Sequence, residues 1–379
     1  MVYRMSILSL LFGKKAAVES KPMQQSGLKK EKQSIPTLHL KGKPDANGLY
    51  PSELVMLAVA EKFTILETNF PKYLTYTFEI VNPLKTLKTL QEKGFLEVGS
   101  SKESLSNFKL AELKDIATSL GIATAGKKAE IIERLSVVDE EKLSAFVKVR
   151  MWKLSQKGKG ALKDNAYILY FLDKHSYNVT EVGVDIWTVN EEVVKNPQRP
   201  YRDIIYGQLN NAMNKAAIQF QTNPASGTAA TQRYCECYRI MGLFIEEEGK
   251  SFINAADLYF QYLYKRINIH AGLQLLLNYK RFSYDKKFRE TFIEQYYEEI
   301  QLYPYQKTEI LRLLDEINVT GDDVRAVLVT SFERTKDSGV MSVNEAADFI
   351  IMELSGEVDE SRNLAYKLAK KAVKKYNKS

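Results

Sequence analysis

LSNFKLAELKDIATSLGIATAGKKAEIIERL, residues 105–135, is the stretch from which most of this chain can be interpreted. Apolar residues recur three and four positions apart in its first part, the spacing of a helix that buries one stripe. The stripe consists of Leu110, Leu113, Ile116, Ala117 and Leu120. Gly121 follows, where a helix commonly ends in a left-handed residue. Ile131, Ile132 and Leu135 predict a second short helix, so we expect a helix–loop–helix unit.

The joint between the two helices combines glycine with two adjacent lysines. Thr124 or Gly126 is placed to begin the second helix, whose first amide groups have no partner inside it. Those amides, with Lys127 and Lys128 in the first turn, predict an anion site, because a helix N-terminus offers N–H donors and a favourable dipole. Two more cations extend the basic edge, Lys114 and Arg134. The alternative is a solvated helix pair with ordinary surface lysines, and the pattern alone does not decide.

Four phrases of this stretch carry a resemblance to a known family. They are AELK (111–114), LGI (120–122), TAGKKAE (124–130) and IERL (132–135). In this order they resemble the SAP motif, a helix–loop–helix module that generally binds double-stranded DNA. The resemblance implies a DNA-binding surface of seven residues: Lys114, Thr124, Ala125, Gly126, Lys127, Lys128 and Arg134. Lys109 departs from the family, which more often has a small hydroxyl residue there to cap the first helix.

Charge is distributed unevenly along the 379 residues. Residues 1–180 carry 28 Lys and Arg against 19 Asp and Glu, whereas the remainder carries 26 against 28. The basic half contains the SAP-like stretch, as expected if that half meets a polyanion. The alternative source of the excess is a basic N-terminal tail, which supplies much of it.

No arrangement of residues predicts catalysis or a bound cofactor. Gly158-Lys-Gly160 lacks the spacing and the terminal Lys-Ser/Thr of a phosphate loop. The three histidines are scattered, and Cys235 and Cys237 are too close in sequence to build a disulfide framework. We therefore expect a cytoplasmic, non-enzymatic protein with no catalytic residue, no metal site, no cofactor and no small-molecule substrate.

The N-terminal segment 1–48 is predicted to be disordered and basic, since it is rich in Lys, Gln, Ser, Gly and Pro and has no apolar period. Its apolar run Met5–Phe12 is too short to span a bilayer. The sequence therefore predicts no membrane partner. A short helix that docks on a membrane or a protein is the sharper alternative.

Residues 49–176 are predicted to form one domain with the SAP-like motif (105–138) inserted in it. The segment 146–154 alternates apolar and basic residues, which predicts a half-buried strand. We expect this strand to pair with 95–98, because the phrases flanking both segments resemble joints of winged-helix proteins. Lys148 and Arg150 on the strand are possible additional DNA contacts. Residues 50–175 also resemble the N-terminal region of SAP-domain proteins from Gram-positive bacteria and their phages.

Residues 177–379 are predicted to form an all-α domain. The phrase 238–250, followed by Ala255 to Tyr259, resembles one degenerate tetratricopeptide-type helix pair, with no second clean copy at the expected period. Later helices are expected near 283–302, 305–317, 321–336, 342–354 and 358–377. The fold class is therefore mainly α with a small β-hairpin: an α+β N-terminal half and an all-α C-terminal half.

These patterns together predict a protein that binds the phosphates of duplex DNA through the SAP-like motif. The helical half would bind a protein partner or a second copy of the chain. The alternative is a protein-interaction scaffold whose SAP-like unit docks on protein or RNA instead of DNA.

Overall fold

The fold was examined in a computed structural model that describes residues 40–173, 176–222, 227–335, 337 and 339–377. Most of the predicted disordered segment 1–48 lies outside the described residues, as does the apolar run near the N-terminus. For its described end the prediction is wrong, because the Lys43 amide donates to Asn190 at 2.8 Å and Asp45 accepts from Asn165 at 2.7 Å. The described residues form many helices and one two-stranded antiparallel sheet. The predicted fold class, mainly α with a small β-hairpin, is confirmed.

Between Pro51 and Leu172 the helices are mostly short and accompany a single hairpin. The helices are α1 (Pro51–Val59), α2 (Tyr73–Tyr76), α3 (Pro83–Glu92), α4 (Ser101–Ser104), α5 (Leu110–Ser119), α6 (Lys128–Ser136), α7 (Glu140–Ser144), α8 (Gln156–Asp164) and α9 (Tyr167–Leu172). The strands are β1 (Leu96–Val98) and β2 (Trp152–Leu154). Single 3-10 turns follow α1 and α4, at Ala60–Lys62 and Leu105–Asn107.

The remainder of the described chain is helical. The helices are α10 (Ser176–Glu181), α11 (Ile186–Lys195), α12 (Tyr201–Thr222), α13 (Gly227–Glu247), α14 (Phe252–Tyr264), α15 (Ala271–Phe282), α16 (Lys286–Ile300), α17 (Pro304–Glu316), α18 (Asp323–Arg334), α19 (Val343–Ser355) and α20 (Val358–Tyr376). One π-helical turn, Lys265–His270, joins α14 to α15. The five late helices match the predicted ranges to within a few residues, because their apolar periods and caps are local signals.

The hairpin brings together the two segments that the sequence analysis paired. Leu96 lies opposite Leu154, and Val98 lies opposite Trp152, in antiparallel register. The predicted pairing of 95–98 with 146–154 is therefore confirmed for Leu96–Val98 and Trp152–Leu154. The helix–loop–helix stretch lies between these strands in sequence.

The predicted strand 146–154 is wrong for its first half, since β2 begins at Trp152 and only Met151 makes a further bridge, to Thr64. The amides of Phe146 and Val147 donate to the carbonyl of Leu143, so the chain here continues the last turn of α7. Val147 is fully buried with the apolar side chains of α5 and α6. The alternation thus reflects packing against a helix pair, and periodicity alone does not distinguish the two.

The described residues divide into two compact units. The first unit contains the described residues of 33–177 and 185–204, and the helical unit contains those of 178–184 and 205–379. The predicted domain boundary at 176/177 differs from this division, because the segment 185–204 makes its contacts with the first unit. The contacts include Asn190, fully buried, whose side chain accepts from the Lys43 amide at 2.8 Å and donates to the Tyr167 hydroxyl at 3.1 Å.

In the helical unit, α13 and α14 pack closely through small residues. A Cβ on Gly242 would lie 3.1 Å from the carbonyl oxygen of Ala255, so glycine permits this approach. Gly249, with φ of +61°, makes the turn between the helices, and Ala255 and Ala256 are buried. This is the helix pair that the sequence predicted, although one pair does not identify a tetratricopeptide repeat.

Candidate nucleic-acid interface

The helix–loop–helix stretch has its own hydrophobic core. The fully buried side chains come from the turn before α5, from both helices and from the segment that follows them: Leu105, Leu113, Ala117, Ile131, Leu135, Leu143 and Val147. Ile116 belongs to the same cluster. Leu110, predicted in this stripe, is 39% exposed at the first position of α5 and does not belong to the cluster. The core holds α5 and α6 in a fixed relation and so positions the joint between them.

Helix α5 ends as the sequence predicts. Gly121 has φ of +70°, its amide donates to Thr118 at 3.0 Å, and the amide of Ile122 donates to Ala117 at 2.8 Å. These two bonds are those of a Schellman motif, which satisfies the last carbonyls of a helix. At the other end Lys109 is the N-cap residue, and its own side chain makes no cap bond. Glu112 compensates, since its carboxylate accepts from the Lys109 amide at 2.6 Å.

Helix α6 begins later than predicted. Lys127 is the N-cap residue with extended backbone, and the helix starts at Lys128, so neither Thr124 nor Gly126 begins it. Gly126 has φ of +113°, which side chains other than glycine rarely adopt. A Cβ there would also lie 2.1 Å from a carboxylate oxygen of Glu130. Glycine is therefore required at the joint to let the chain turn close over the start of α6.

The chain's own Glu130 approaches the site predicted for an anion. Its carboxylate accepts from the Lys127 amide at 3.3 Å, as the third residue of a capping box does. The amides of Lys128, Ala129 and Glu130 remain in the first turn, where no intrahelical carbonyl is available to them. The N-terminus of α6 thus offers donors to an anion beside a carboxylate that already uses one.

The cations around this N-terminus differ in their freedom. Lys127 and Lys128 are exposed, although the Lys128 ammonium donates to the Ser106 carbonyl at 2.7 Å. The Arg134 guanidinium folds back over the joint, where it donates to the carbonyl of Ala125 and, at 3.1 Å, to that of Glu130. Arg134 therefore supports the loop, Lys128 is exposed but bonded to the Ser106 carbonyl, and Lys127 is exposed.

The remaining predicted site residues lie on the joint or on α5. Thr124 is half-buried, Ala125 and Gly126 are exposed, and Lys114 is half-buried on α5. Residues 124–128 are thus brought together as one corner, and Lys114 lies on the first helix of the pair.

With this geometry in place, the chain was compared with known proteins. The SAP domain family matches residues 104–136. Those residues form a SAP domain. The chain is also 28% identical over 101 residues to the E3 SUMO-protein ligase SIZ1 of Arabidopsis thaliana, an alignment that covers 27% of this chain and 11% of SIZ1. No solved structure matches the chain.

Outside the SAP domain, Lys148 and Arg150 were predicted as additional DNA contacts, and the structure places them differently. Lys148 is exposed. Arg150 is half-buried and donates to the carbonyls of Gly99, at 3.1 Å, and Val147, at 3.3 Å. Its guanidinium also lies 3.5 Å from Glu140. Arg150 thus ties the end of the SAP-domain insertion to the hairpin.

Glu140 shows that this tie is electrostatic. Burial alone would raise the pKa of the Glu140 carboxyl, but hydrogen bonds from Ser101 and the Lys102 amide and the charge of Arg150 outweigh it and lower that pKa. The carboxylate therefore stays ionised beside the guanidinium.

Sequence reasoning missed the role of Glu130 and the exposure of Val137 just after the SAP domain. The signal for Glu130 was present, since a glutamate three residues after a helix N-cap is the capping-box spacing. Val137, 82% exposed, follows α6 directly.

Residues 104–136 hold five cations and four carboxylates, so affinity for a polyanion depends on where the cations lie.

Among the described residues, no group of three or more His, Cys, Asp or Glu side chains is arranged to hold a metal ion. No helix in the described part of the chain is long and apolar enough to cross a membrane.

Proposed function

We propose that this chain is a non-enzymatic DNA-binding protein whose SAP domain holds the phosphates of duplex DNA. The observation that carries this proposal is the start of α6, where exposed Lys127 and Lys128 flank the amides of the first turn. Phosphate binds at such a position because backbone donors, the helix dipole and nearby ammonium groups act together. Contacts of this kind go to the DNA backbone, and they position the protein without reading sequence.

The other parts of the chain have separate roles in this proposal. Arg134 and Gly126 shape the corner, Lys114 adds charge on α5, and Lys148 extends the basic surface beyond the SAP domain. The helical unit binds a protein partner or a second copy of the chain. The similarity to SIZ1 supports none of the ligase activity in that protein's name, since it covers 11% of SIZ1.

The test removes both lysines from the full chain, as Lys127→Ala/Lys128→Ala. We expect affinity for duplex DNA of unrelated sequences to fall by about tenfold or more at low salt. The slope of log K against log salt should become shallower by about 1.8, because each lost phosphate contact on a duplex contributes about 0.9. Electrophoretic mobility shift or fluorescence anisotropy over a salt series measures both quantities.

The matched control is Lys85→Ala/Lys88→Ala, which removes two exposed lysines from α3 of the same unit. It should leave both the affinity and the salt slope nearly unchanged. Equal losses in the two variants would mean that only net charge matters, and unchanged binding in the SAP variant would remove the proposed role of the corner.

A second candidate function follows from two exposed apolar side chains, Leu110 in the SAP domain and Val137 just after it, and from the Glu130 carboxylate. Val137 is 82% exposed and Leu110 is 39% exposed, and Glu130 lies where a phosphate would approach. These features favour a scaffold whose SAP domain docks on a protein. Duplex binding that is absent at low salt in the unaltered chain would select this second function.

A further inference from the structure

The end of the helical unit where α15 turns into α16 is strongly basic. Residues 280–290 hold five cations and two carboxylates, and all five cations are exposed. They are Lys280, Arg281, Lys286, Lys287 and Arg289. The two carboxylates, Asp285 and Glu290, are largely engaged, since Asp285 caps α16 and Glu290 lies 3.9 Å from Lys286.

The C-terminal end of α20 lies at the same end of the helical unit and adds to its positive charge. The rings of Tyr279 and Tyr376 are 6.4 Å apart, and the Asn377 side-chain amide donates to the Tyr279 hydroxyl at 3.3 Å. The first turns of α20 lie farther along α16, where Arg362 is over the ring of Tyr297. The two helices therefore run antiparallel, and the last turns of α20 lie beside the α15–α16 turn.

Those last turns contain no acid. Residues 367–375 include five lysines and no Asp or Glu. Lys370 and Lys374 are exposed, and Lys371 lies 3.7 Å from Glu345. We define the basic end of the helical unit as residues 280–290 together with Lys370 and Lys374.

Helix stability does not account for this concentration of charge. Cations at the C-terminal ends of α15 and α20 complement the negative ends of those helices. Lys286 and Lys287 lie in the first turn of α16, however, where the helix dipole disfavours cations. The helix dipole explains the cations at the C-terminal ends of α15 and α20 but not Lys286 and Lys287. An anionic partner explains all of them.

One aromatic side chain stands among these cations. Tyr284 is 80% exposed, at the turn between α15 and α16. Its backbone is held in place, because the Arg289 guanidinium donates to the carbonyls of Ser283, at 2.7 Å, and Tyr284, at 3.0 Å. An exposed ring on a held backbone, with Lys286 and Lys287 close by in sequence, is suited to stack on a nucleic-acid base while the cations contact phosphates.

We infer that the basic end of the helical unit is a second nucleic-acid site, which binds single-stranded nucleic acid. A single strand fits this site better than a duplex, because the Tyr284 ring can stack only on a base whose face is uncovered. An acidic lipid surface fits less well. Among the described residues of the basic end, Tyr284 is the one large apolar side chain that is exposed, and no aliphatic side chain is available to insert between lipids.

The experiment uses the full chain with Lys127→Ala/Lys128→Ala already in place, so that the SAP site does not contribute. Labelled oligothymidylate is titrated at several salt concentrations and followed by fluorescence anisotropy. Adding Lys280→Gln/Lys374→Gln should weaken binding and reduce the salt slope by about 1.4, because each phosphate contact on a single strand contributes about 0.7. Adding Tyr284→Ala should weaken binding about fivefold or more, and Tyr284→Phe should restore it, since both rings stack.

The matched control is Lys163→Gln/Lys215→Gln, which removes two exposed lysines outside both basic surfaces and should change little. Comparing the affinity for oligouridylate with that for oligothymidylate in the same titration shows whether the site prefers RNA or DNA. Binding unaffected by both test variants overturns the inference. The inference is also overturned if the chain binds tightly to vesicles of equal parts phosphatidylcholine and phosphatidylserine and does not bind oligothymidylate. Failure of the SAP proposal leaves this test intact, because the SAP lysines are absent throughout.

Discussion

Glu130 places a negative charge at the same helix N-terminus where Lys127 and Lys128 lie exposed. Its carboxylate accepts from the Lys127 amide at 3.3 Å, and the close turn at Gly126 brings the chain over it. The capping bond stabilises α6, but the charge opposes an incoming phosphate. The Glu130 carboxylate therefore stabilises α6 and at the same time lowers the affinity of this site for a polyanion.

Replacing this residue as Glu130→Gln should raise affinity for duplex DNA about two- to fivefold. Glutamine retains an oxygen that can accept from the Lys127 amide, and it removes a charge beside the helix N-terminus, an effect of about 0.3–1 kcal/mol. Anisotropy titration at low salt measures the change.

The control for this substitution is Glu133→Gln, an exposed glutamate one turn further along α6. It should raise affinity less than Glu130→Gln does. An equal gain from the two changes would show an effect of net charge only, and no gain from Glu130→Gln would show that its carboxylate does not compete with phosphate.

At the scale of elements, Glu353 joins four helices of the helical unit. It is 2% exposed on α19, and it accepts from the Ser361 hydroxyl of α20 at 2.7 Å and the Tyr297 hydroxyl of α16 at 3.1 Å. Its other oxygen lies 3.1 Å from the Lys307 ammonium of α17 and accepts from the Leu302 amide at 3.3 Å. Burial alone would raise the pKa of Glu353, but these hydrogen bonds and the charge of Lys307 outweigh it and lower the pKa.

A lowered pKa in the folded state makes this carboxylate stabilising above its unfolded pKa of about 4.3. That contribution is lost as pH falls through the lower pKa of the folded protein. We expect the melting temperature of the helical unit to drop between about pH 5 and pH 3, and Glu353→Gln to reduce that drop. At neutral pH the same variant should melt lower, because a charged acceptor is lost beside Lys307.

Thermal melts followed by circular dichroism at several pH values test this expectation. Glu298→Gln, at an exposed position on α16, is the control and should retain the pH dependence of the unaltered chain. A pH dependence that survives in Glu353→Gln would assign the acid sensitivity to other carboxylates.

At the scale of the whole molecule, the first unit is built from two separate stretches of sequence. Asn190 of α11 bonds to Lys43 and Tyr167, and the Asn165 side chain donates to Asp45 at 2.7 Å. A domain cut at 50–175 would lose Asp45, which accepts from Asn165, and Asn190, which donates to Tyr167. Asn165 would keep its bond to the Ala161 carbonyl, whereas the buried Tyr167 hydroxyl would be left without this partner, which costs about 1–3 kcal/mol.

We therefore expect the fragment 40–204 to unfold cooperatively and to retain duplex binding, whereas the fragment 50–175 should melt at a lower temperature. Circular dichroism melts and anisotropy titrations of both fragments measure these properties. Equal melting temperatures would mean that residues 40–49 and 176–204 add nothing to the stability of the first unit.

The sequence by itself determined what depends on neighbouring residues. The left-handed end of α5 at Gly121 and the capping box from Ser342 to Glu345 follow from groups a few positions apart. The order of motifs that marks the SAP domain is local in the same sense. Such features form wherever the stretch is placed, because their hydrogen bonds close within a turn or two of chain.

Only the tertiary structure decided what depends on distant segments meeting. It turned Phe146 and Val147 from part of a predicted strand into a continuation of the last turn of α7, and it directed Arg150 to the carbonyl of Gly99. It brought the last turns of α20 beside the α15–α16 turn and so concentrated cations that are far apart in sequence. Side-chain packing between remote elements sets these outcomes, and the period of apolar residues within one segment does not contain that information.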